Sequence, residues 1–225
     1  MAHQTSMGVL PKEIGPSPTQ FQRNFVGMND GQKGLVIFNK GLPEYEARAD
    51  GTIALTLLRC IGWLSQDDLT TRDKLAGPKL PVPDAQCIGQ HTFEYALLTQ
   101  PGSWEASPVY REENQYSIPV KVLEVTRQKG SLPTSMGFVT IQPDELMVSA
   151  IKKAYTDHDL VIRLFNPTRA TLKGQVGIFP GIHQAWLTDM NEEKKEKIQV
   201  SSDGTISIRA KPKKIITIRI TPRKW

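Results

Sequence analysis

The chain has 225 residues, of which 39% are hydrophobic and 23% charged, and its formal net charge is +5. This composition is that of a folded globular protein and excludes a globally disordered one, while the length allows one large domain or two small ones. No apolar run reaches the roughly 20 residues of a membrane-spanning helix, and the first residues lack the basic start and apolar stretch of a secretory signal.

The sequence predicts a leader followed by a series of short strands. Residues 1–18 are rich in Gly, Pro and Ser and predict a flexible leader before a β-sandwich domain at 19–225. Asp50-Gly51 and Asp203-Gly204 are strong hairpin-turn signals. About a dozen short strands separated by turn residues indicate an all-β fold, an antiparallel β-sandwich. The predicted strands are 21–26, 34–38, 52–58, 89–98, 118–125, 136–141, 146–154, 160–165, 171–178, 185–188, 198–200, 205–209 and 215–220.

Local patterns within these elements lead to narrower expectations. In 205–209 isoleucines alternate with polar residues, which predicts a strand with one buried face. Residues 143–153 are the one segment whose composition favours a helix. Cys60 and Cys87 stand in apolar segments without CxxC spacing, which predicts two buried free thiols.

The excess positive charge lies at the C-terminal end. Residues 189–225 contain ten Lys or Arg and five Asp or Glu, which accounts for the whole net charge. The basic residues after Lys197 alternate with apolar ones, as on a strand with one solvated face. Aromatic side chains that stack on nucleic-acid bases are missing from this stretch except for Trp225. The pattern favours a solvated sheet face, and we expect no nucleic-acid partner.

The densest polar segment, residues 65–78, is predicted to be a long loop. Long loops on rigid sandwiches are where functional sites are usually found. The segment contains the adjacent carboxylates Asp67 and Asp68 and, four residues after the second, Arg72. Together with flanking threonine hydroxyls, these groups suit the vicinal hydroxyls of a sugar. The structural alternative is that one of the carboxylates caps the turn and pairs with Arg72.

No self-sufficient catalytic centre can be identified in the sequence. A retaining glycosidase needs two carboxyl groups about 5 Å apart on a rigid scaffold, whereas the side chains of neighbours such as Asp67 and Asp68 diverge in extended chain. Glu44 is the other candidate acid, and a turn acid is the role that its context predicts. The four histidines lack metal-site spacing, and His91 is predicted to be a hydrogen-bonded strand residue. We expect no catalytic residue and no metal ligand here.

Several long motifs, in a fixed order, resemble those of a known family. Residues 41–46 (GLPEYE), 53–64 (IALTLLRCIGWL) and 67–72 (DDLTTR) resemble the β-sandwich region of glycoside hydrolase family 38 α-mannosidases of the bacterial and cytosolic type. The resemblance covers roughly residues 20–221. It continues through 76–78, 83–89, 93–97, 151–154, 162–166 and 213–218.

The resemblance implies a parent enzyme with an N-terminal catalytic barrel, a helical linker and this C-terminal region. The fold of the region would be a galactose mutarotase-like supersandwich. In the family the barrel carries zinc, the aspartate nucleophile and the acid/base carboxylate, and the enzyme removes terminal α-linked mannose with retention of configuration. The same resemblance implies a cytoplasmic location, no membrane contact, zinc in the catalytic barrel and no cofactor in this chain.

The resemblance also implies how this region would contribute. It would pack on the barrel and lend its loop to the sugar site, with Arg72 binding substrate and Asp67 and Asp68 positioning it. An apolar surface that the barrel normally covers would allow a homodimer when the region is isolated.

Other functions stay open from the sequence. A stand-alone carbohydrate-binding module would present exposed aromatic side chains, whereas Trp63, Trp104 and Trp186 lie in or beside apolar strand segments and are predicted to be buried. A basic interaction module is a further alternative. Within the family, the region could also belong to a mannosylglycerate hydrolase.

Overall fold

The computed structural model describes residues 17–103 and 108–224. Within these residues the fold is nearly all β, with antiparallel strand pairs and a single α-helix, α1 (Val109–Ser117). The predicted all-β class is therefore confirmed. No helix in these two ranges is long and apolar enough to cross a membrane. The predicted leader lies outside the described residues except for its last two positions.

The predicted domain at 19–225 comprises two compact units, with the boundary between Pro119 and Val120. The strands of the first unit are β1 (Thr19–Phe21), β2 (Phe25–Asn29), β3 (Lys33–Asn39), β4 (Glu44–Ala47), β5 (Ile53–Leu55) and β6 (Tyr95–Pro101). They form two three-stranded sheets, in the orders β1-β4-β5 and β2-β3-β6. Helix α1 follows β6.

The core of the first unit forms where α1 packs on a sheet. Val109 of the helix makes a buried cluster with Val36 and Phe38 of β3. The ring of Tyr116 stacks on Phe38 with centroids 6.1 Å apart. Aromatic pairs of this kind add about 1 kcal/mol beyond the burial of their area. The polar sequence of α1 gave no apolar periodicity from which to predict a helix, so these tertiary contacts stabilise it.

The second unit is a sandwich of a five-stranded and a three-stranded antiparallel sheet. Its strands are β7 (Val139–Gln142), β8 (Met147–Lys153), β9 (Leu160–Phe165), β10 (Leu172–Ile178), β11 (Ile182–Thr188), β12 (Lys194–Ile198), β13 (Ile206–Ala210) and β14 (Ile215–Pro222). The orders are β12-β11-β14-β9-β8 and β13-β10-β7. One cluster of buried side chains takes residues from both sheets, including Ile162, Val176, Ile206 and Ile218. Burying each such side chain contributes about 1.5–3 kcal/mol.

The alternation predicted near the C-terminal end is confirmed, whereas the hairpin predicted beside it is not. In β13 the residues Ile206, Ile208 and Ala210 are buried, while Ser207 and Arg209 are exposed. Gly204 has a φ of 81°, and the Ser201 amide donates to the Thr205 carbonyl at 2.9 Å. The Asp203-Gly204 turn is therefore formed, but the predicted hairpin is not: β12 and β13 belong to different sheets, and only the isolated bridge between Val200 and Ile206 crosses the turn. At the Asp50-Gly51 turn, the Arg48 amide likewise donates to the Thr52 carbonyl at 2.9 Å.

Two predicted elements differ from the structure. The segment 143–153, whose composition favoured a helix, contains the strand β8, which confirms the strand predicted at 146–154 and pairs with β9 from Met147 opposite Phe165 to Lys153 opposite Leu160. Its apolar residues serve a sheet because β9 lies beside them. Conversely, the predicted strand 118–125 has no regular structure, since none of the described strands pairs with it.

The cysteines follow the prediction only in part. Both Cys60 and Cys87 are free thiols, as expected. Cys60 is exposed and Cys87 is half-buried, so the prediction that both are buried is wrong. The apolar residues around Cys60 belong to an irregular loop, and a loop without a ladder partner does not bury alternate side chains.

Candidate functional site

The candidate site lies on the irregular segment between β5 and β6, residues 56–94. Its base is held like a hairpin. The Leu64 amide donates to the Leu80 carbonyl at 2.9 Å, and the Val82 amide donates to the Gly62 carbonyl at 2.9 Å. A short 3₁₀ helix, Pro83–Gln86, follows the second arm. These bonds make residues 65–78 the tip of a closed loop; we call this segment the tip.

Ser65 holds the two ends of the tip together. Its side chain is buried, and its hydroxyl oxygen accepts hydrogen bonds from the amides of Ala76 at 3.0 Å and Gly77 at 3.3 Å. Most other residues of the tip are exposed. The tip is therefore largely exposed, and its polar side chains are presented from a closed frame.

Arg72 lies on a tight turn within the tip, and its backbone amide donates to the Leu69 carbonyl at 3.1 Å. The residue is half-buried. Its Nε is shielded from solvent and has no hydrogen-bond partner among the described residues. Leaving a buried donor unpaired costs about 1–3 kcal/mol. The guanidinium thus carries a fixed charge and an unused donor beside the tip surface.

The carboxylate of Asp67 has a different partner from the predicted one. Its Oδ1 accepts a hydrogen bond from Lys79 Nζ at 2.8 Å, and both side chains are about half exposed. The pair with Lys79 lowers the pKa of Asp67, while the pair with Asp67, and the more distant charge of Asp68, raise the pKa of Lys79. The structure therefore joins Asp67 to Lys79 at the neck of the tip rather than to Arg72. Asp68 is exposed beside it.

Lys79 was not singled out in the sequence. It follows Pro78 directly, on the second arm of the loop, and only the pairing of residues 62–64 with 80–82 brings it opposite Asp67. Twelve residues separate the two charges along the chain. The spacing of the two residues in the sequence could not predict this pair. The pairing of the two arms of an irregular loop follows no repeating pattern in the sequence.

Glu44 lies on a strand and not in a turn, which corrects the sequence-based expectation. It is the first residue of β4 and is half-buried. Its Oε1 accepts a hydrogen bond from the Thr56 hydroxyl at 2.9 Å, and its Oε2 lies 3.8 Å from a guanidinium nitrogen of Arg59. Both partners lie at the start of the long loop. Glu44 therefore anchors the loop to the sheet.

His91 is not a strand residue as predicted. It lies in an irregular stretch before β6, and its Nε2 is 2.7 Å from the carbonyl oxygen of Cys87. Its ring stacks on Phe93 with centroids 6.2 Å apart. Among the described residues no three His, Cys, Asp or Glu side chains come together in a way that could hold a metal ion.

Large apolar side chains are exposed on both arms of the loop. Trp63 is 40% exposed, so the prediction of its burial is wrong, and Ile88 is 97% exposed. Leu57, Leu58, Leu64 and Leu80 are also exposed. Trp186 of β11 is half-buried, and Trp104 lies outside the described residues. Exposed apolar residues concentrated on one segment are typical of a surface that another protein part covers.

The chain was compared with known proteins. Residues 145–218, which span most of the second unit, match the model of the glycosyl hydrolases family 38 C-terminal beta sandwich domain. A protein of Halalkalibacterium halodurans named "Putative mannosylglycerate hydrolase" is 28% identical over 211 residues, which are 93% of this chain and 22% of that protein.

Two solved structures are similar over both units. A glycosyl hydrolase family 38 protein from Enterococcus faecalis is 30% identical over 90% of this chain, with a TM-score of 0.75. An alpha-mannosidase from Enterococcus faecalis V583 is 30% identical over 92% of this chain, with a TM-score of 0.74. The chain spans 22% of the length of each of these two proteins.

Proposed function

We propose that this chain, the C-terminal β-sandwich region of a glycoside hydrolase family 38 protein, is the accessory domain of a retaining, zinc-dependent α-mannosidase. It packs on a catalytic barrel and lends the tip to the site where terminal α-linked mannose is bound. The family resemblance and the relatives' greater length support this role. In this proposal the chain supplies a binding group, and the catalytic carboxylates belong to the barrel.

The observation that carries the proposal is the unpaired Nε of Arg72. Arginine cannot be deprotonated in a protein and offers five donors in a fixed plane. A shielded donor without an acceptor gains a hydrogen bond if the side chain turns so that Nε meets a ligand oxygen or a carboxylate of another domain. Because the hydrogen bonds of Ser65 already hold the tip closed, binding of such an acceptor costs little backbone entropy.

We assign the zinc of the proposed enzyme to the barrel. The described residues bring together no set of three potential metal ligands, and the proposal therefore needs none from this part of the chain. The contribution of this chain is to bind and orient: Arg72 donates to an oxygen near the sugar, and the Asp67–Lys79 pair holds the neck of the tip. Bond cleavage is assigned to groups outside these 225 residues.

The exposed apolar residues of the loop support the packing part of the proposal. Leu57, Trp63, Leu64 and Ile88 are between 40% and 97% exposed. Burying apolar area stabilises the assembled protein by about 25 cal/mol per Å². A barrel seated on these side chains would also exclude water from the surroundings of Arg72, which strengthens its hydrogen bonds.

The decisive experiment replaces Arg72 in the enzyme assembled with its catalytic barrel. We expect Arg72→Ala to lower kcat/KM for a nitrophenyl α-mannoside by about 10²-fold, because a donor to the transition state is lost. Arg72→Lys should recover only part of the activity, since lysine lacks the planar array of donors. Arg48→Ala is the matched control: Arg48 is exposed on the β4–β5 turn and pairs with Glu46.

Thermal unfolding of the same variants separates a binding role from a structural one. Arg72→Ala should keep the melting temperature close to that of Arg48→Ala. Activity within about twofold of wild type would overturn the assignment of Arg72. A melting temperature that collapses together with activity would make Arg72 a folding residue instead.

A second candidate substrate is favoured by one comparison, the relative named as a mannosylglycerate hydrolase. A glycerate aglycone carries a carboxylate, and an arginine binds a carboxylate through two parallel hydrogen bonds. Under this alternative the assembled enzyme should cleave mannosylglycerate faster than the nitrophenyl mannoside. Arg72→Ala should then raise KM for mannosylglycerate more than KM for the uncharged substrate.

A further inference from the structure

The charges of the second unit are separated along β9. At the start of this strand, Asp157 and Asp159 pair with Arg219, and Asp159 also pairs with Lys194 at 3.1 Å. At its end, the turn 166–171 meets the turn 211–214, and neither turn contains an acidic residue. The stretches 160–188 and 204–225 are free of Asp and Glu altogether. The two stretches therefore place basic residues along the chain without an acidic residue between them.

Four exposed cations lie on the turn 211–214 and on the adjoining strands β10 and β13. We call this set the basic end. Across β10 and β13, Lys173 lies directly opposite Arg209. Like charges placed opposite each other destabilise a sheet, so this arrangement favours an anionic partner that would relieve the repulsion. The basic end consists of Lys173, Arg209, Lys211 and Lys214.

A buried asparagine fixes the two turns to each other. Asn166 is 1% exposed, and its Nδ2 donates to the carbonyls of Ala170 at 2.7 Å, Ala210 at 3.0 Å and Lys211 at 3.1 Å. Its backbone amide donates to the Lys214 carbonyl at 3.0 Å. Lys213 Nζ also donates to the Pro167 carbonyl. The cations therefore project from a rigid, hydrogen-bonded base, which limits the entropy lost when a partner binds.

The basic end adjoins an edge strand. β13 is the outer strand of its sheet in the described part of the chain, and only Ile206 has a further bridge, to Val200. Alternate residues of an edge strand present N–H and C=O groups that an added extended peptide can pair with. Neither turn of the basic end contains an aromatic residue on which a nucleic-acid base could stack.

We propose that the basic end and the outer edge of β13 form a docking surface for an extended acidic peptide segment of another protein part. Its backbone adds to β13, and its carboxylates lie against Arg209, Lys211 and Lys173. The surface belongs to the second unit, whereas the tip belongs to the first, and the proposal is independent of the mannosidase role. A purely protective role of the edge charges against aggregation is the alternative that the test must exclude.

The test measures binding of a fluorescent peptide of alternating glutamate and valine to the 225-residue chain at low and physiological salt. A matched peptide with glutamine in place of glutamate is the first control. We expect binding of the glutamate peptide only, weakened by salt as screened charge pairs are. Absence of binding at low salt, or equal binding of the glutamine peptide, would overturn the proposal.

Variants then locate the contact. The double variant Arg209→Gln with Lys211→Gln should weaken binding at least about tenfold. The control Lys121→Gln with Lys129→Gln removes the same charge from exposed positions of the same unit and should change binding less than about twofold. Equal losses in both variants would reduce the effect to net charge and overturn the assigned surface. Unchanged melting temperatures verify that the variants are folded.

Two further arms test the mode of binding and the class of partner. A peptide methylated on alternate backbone nitrogens cannot pair with an edge strand and should lose binding, whereas unchanged binding would overturn the pairing with β13. A short DNA duplex should bind more weakly than the acidic peptide at equal salt. Tighter binding of the duplex would overturn the peptide assignment in favour of a phosphate backbone.

Discussion

Arg219 Nε donates a hydrogen bond to Asp159 Oδ2 at 2.9 Å, and the two residues are only 8% and 7% exposed. The same guanidinium donates to the Glu192 carbonyl at 3.2 Å and contacts Asp157. Thr221 donates to the other oxygen of Asp159 at 2.7 Å. This network ties the β8–β9 turn and the β11–β12 turn to the central strand β14.

We predict that Arg219→Met lowers the free energy of unfolding by about 3 kcal/mol, because it removes one partner from a buried, hydrogen-bonded charge pair. Arg209→Met is the matched control, since Arg209 is exposed on β13 and its loss should change stability by less than about 0.5 kcal/mol. Urea unfolding of both variants gives the comparison. Equal midpoints for Arg219→Met and wild type would contradict a stabilising role of the network.

We also predict that the free energy of unfolding depends on pH through the carboxyl group of Asp159. Burial alone would raise the pKa of this carboxyl, but hydrogen bonds from Thr221, Arg219 and Lys194 outweigh it and hold the pKa below its usual value of 3.8. A carboxyl with a depressed pKa in the folded state stabilises the protein above its unfolded pKa and loses this effect as the pH falls. We expect the free energy of unfolding to decrease below about pH 4.

The variant Asp159→Asn tests this origin of the acid sensitivity. It should be less stable than wild type at neutral pH, and its stability should fall less steeply between about pH 4 and pH 2, because one titrating group is gone. Urea unfolding at a series of pH values measures both slopes. Parallel curves for the two proteins would assign the acid sensitivity to other carboxylates, such as Glu192, whose pKa the pair with Lys152 lowers.

A third prediction concerns the packing of the second core at Gly174. A Cβ at this position of β10 would lie 2.7 Å from Leu146 Cδ2 and 3.1 Å from Ile208 Cγ1. Gly174→Ala should therefore destabilise the protein by about 1–3 kcal/mol through overpacking. Gly130→Ala, where nothing lies within 4 Å of the new methyl group, should be neutral or slightly stabilising. A Gly174→Ala protein that melts at or above the control would refute the tight contact.

The exposed apolar residues of the long loop predict self-association of the isolated chain. Without a covering domain, Trp63 and Leu64 can bury area only against another molecule, and a two-fold contact is the commonest arrangement. Sedimentation velocity over a wide concentration range should detect a reversible dimer. Trp63→Ser with Leu64→Gln should abolish it, whereas Ile215→Gln, an exposed apolar residue of the second unit, should not. A monomer at all concentrations would contradict this expectation.

The sequence by itself determined the elements whose formation depends on neighbouring residues. Alternation in 205–209 predicted β13, and the Asp50-Gly51 turn predicted the hairpin of β4 and β5, because side-chain direction and turn conformation are set by residues next to each other. The order of the family motifs likewise predicted the β-sandwich and its relationship to family 38.

Only the tertiary structure decided which segments found partners. Residues 118–125 have strand-forming composition but no neighbouring strand among the described residues, whereas 147–153 became β8 because β9 lies beside it. Helix α1 depends on its packing against Phe38 and Val36. Asp67 reaches Lys79 rather than Arg72 because the loop closes on itself. Strand pairing and ion pairs between distant residues form only when the loop between them closes. Local sequence patterns, such as the alternation of apolar and polar residues, do not show which loops close.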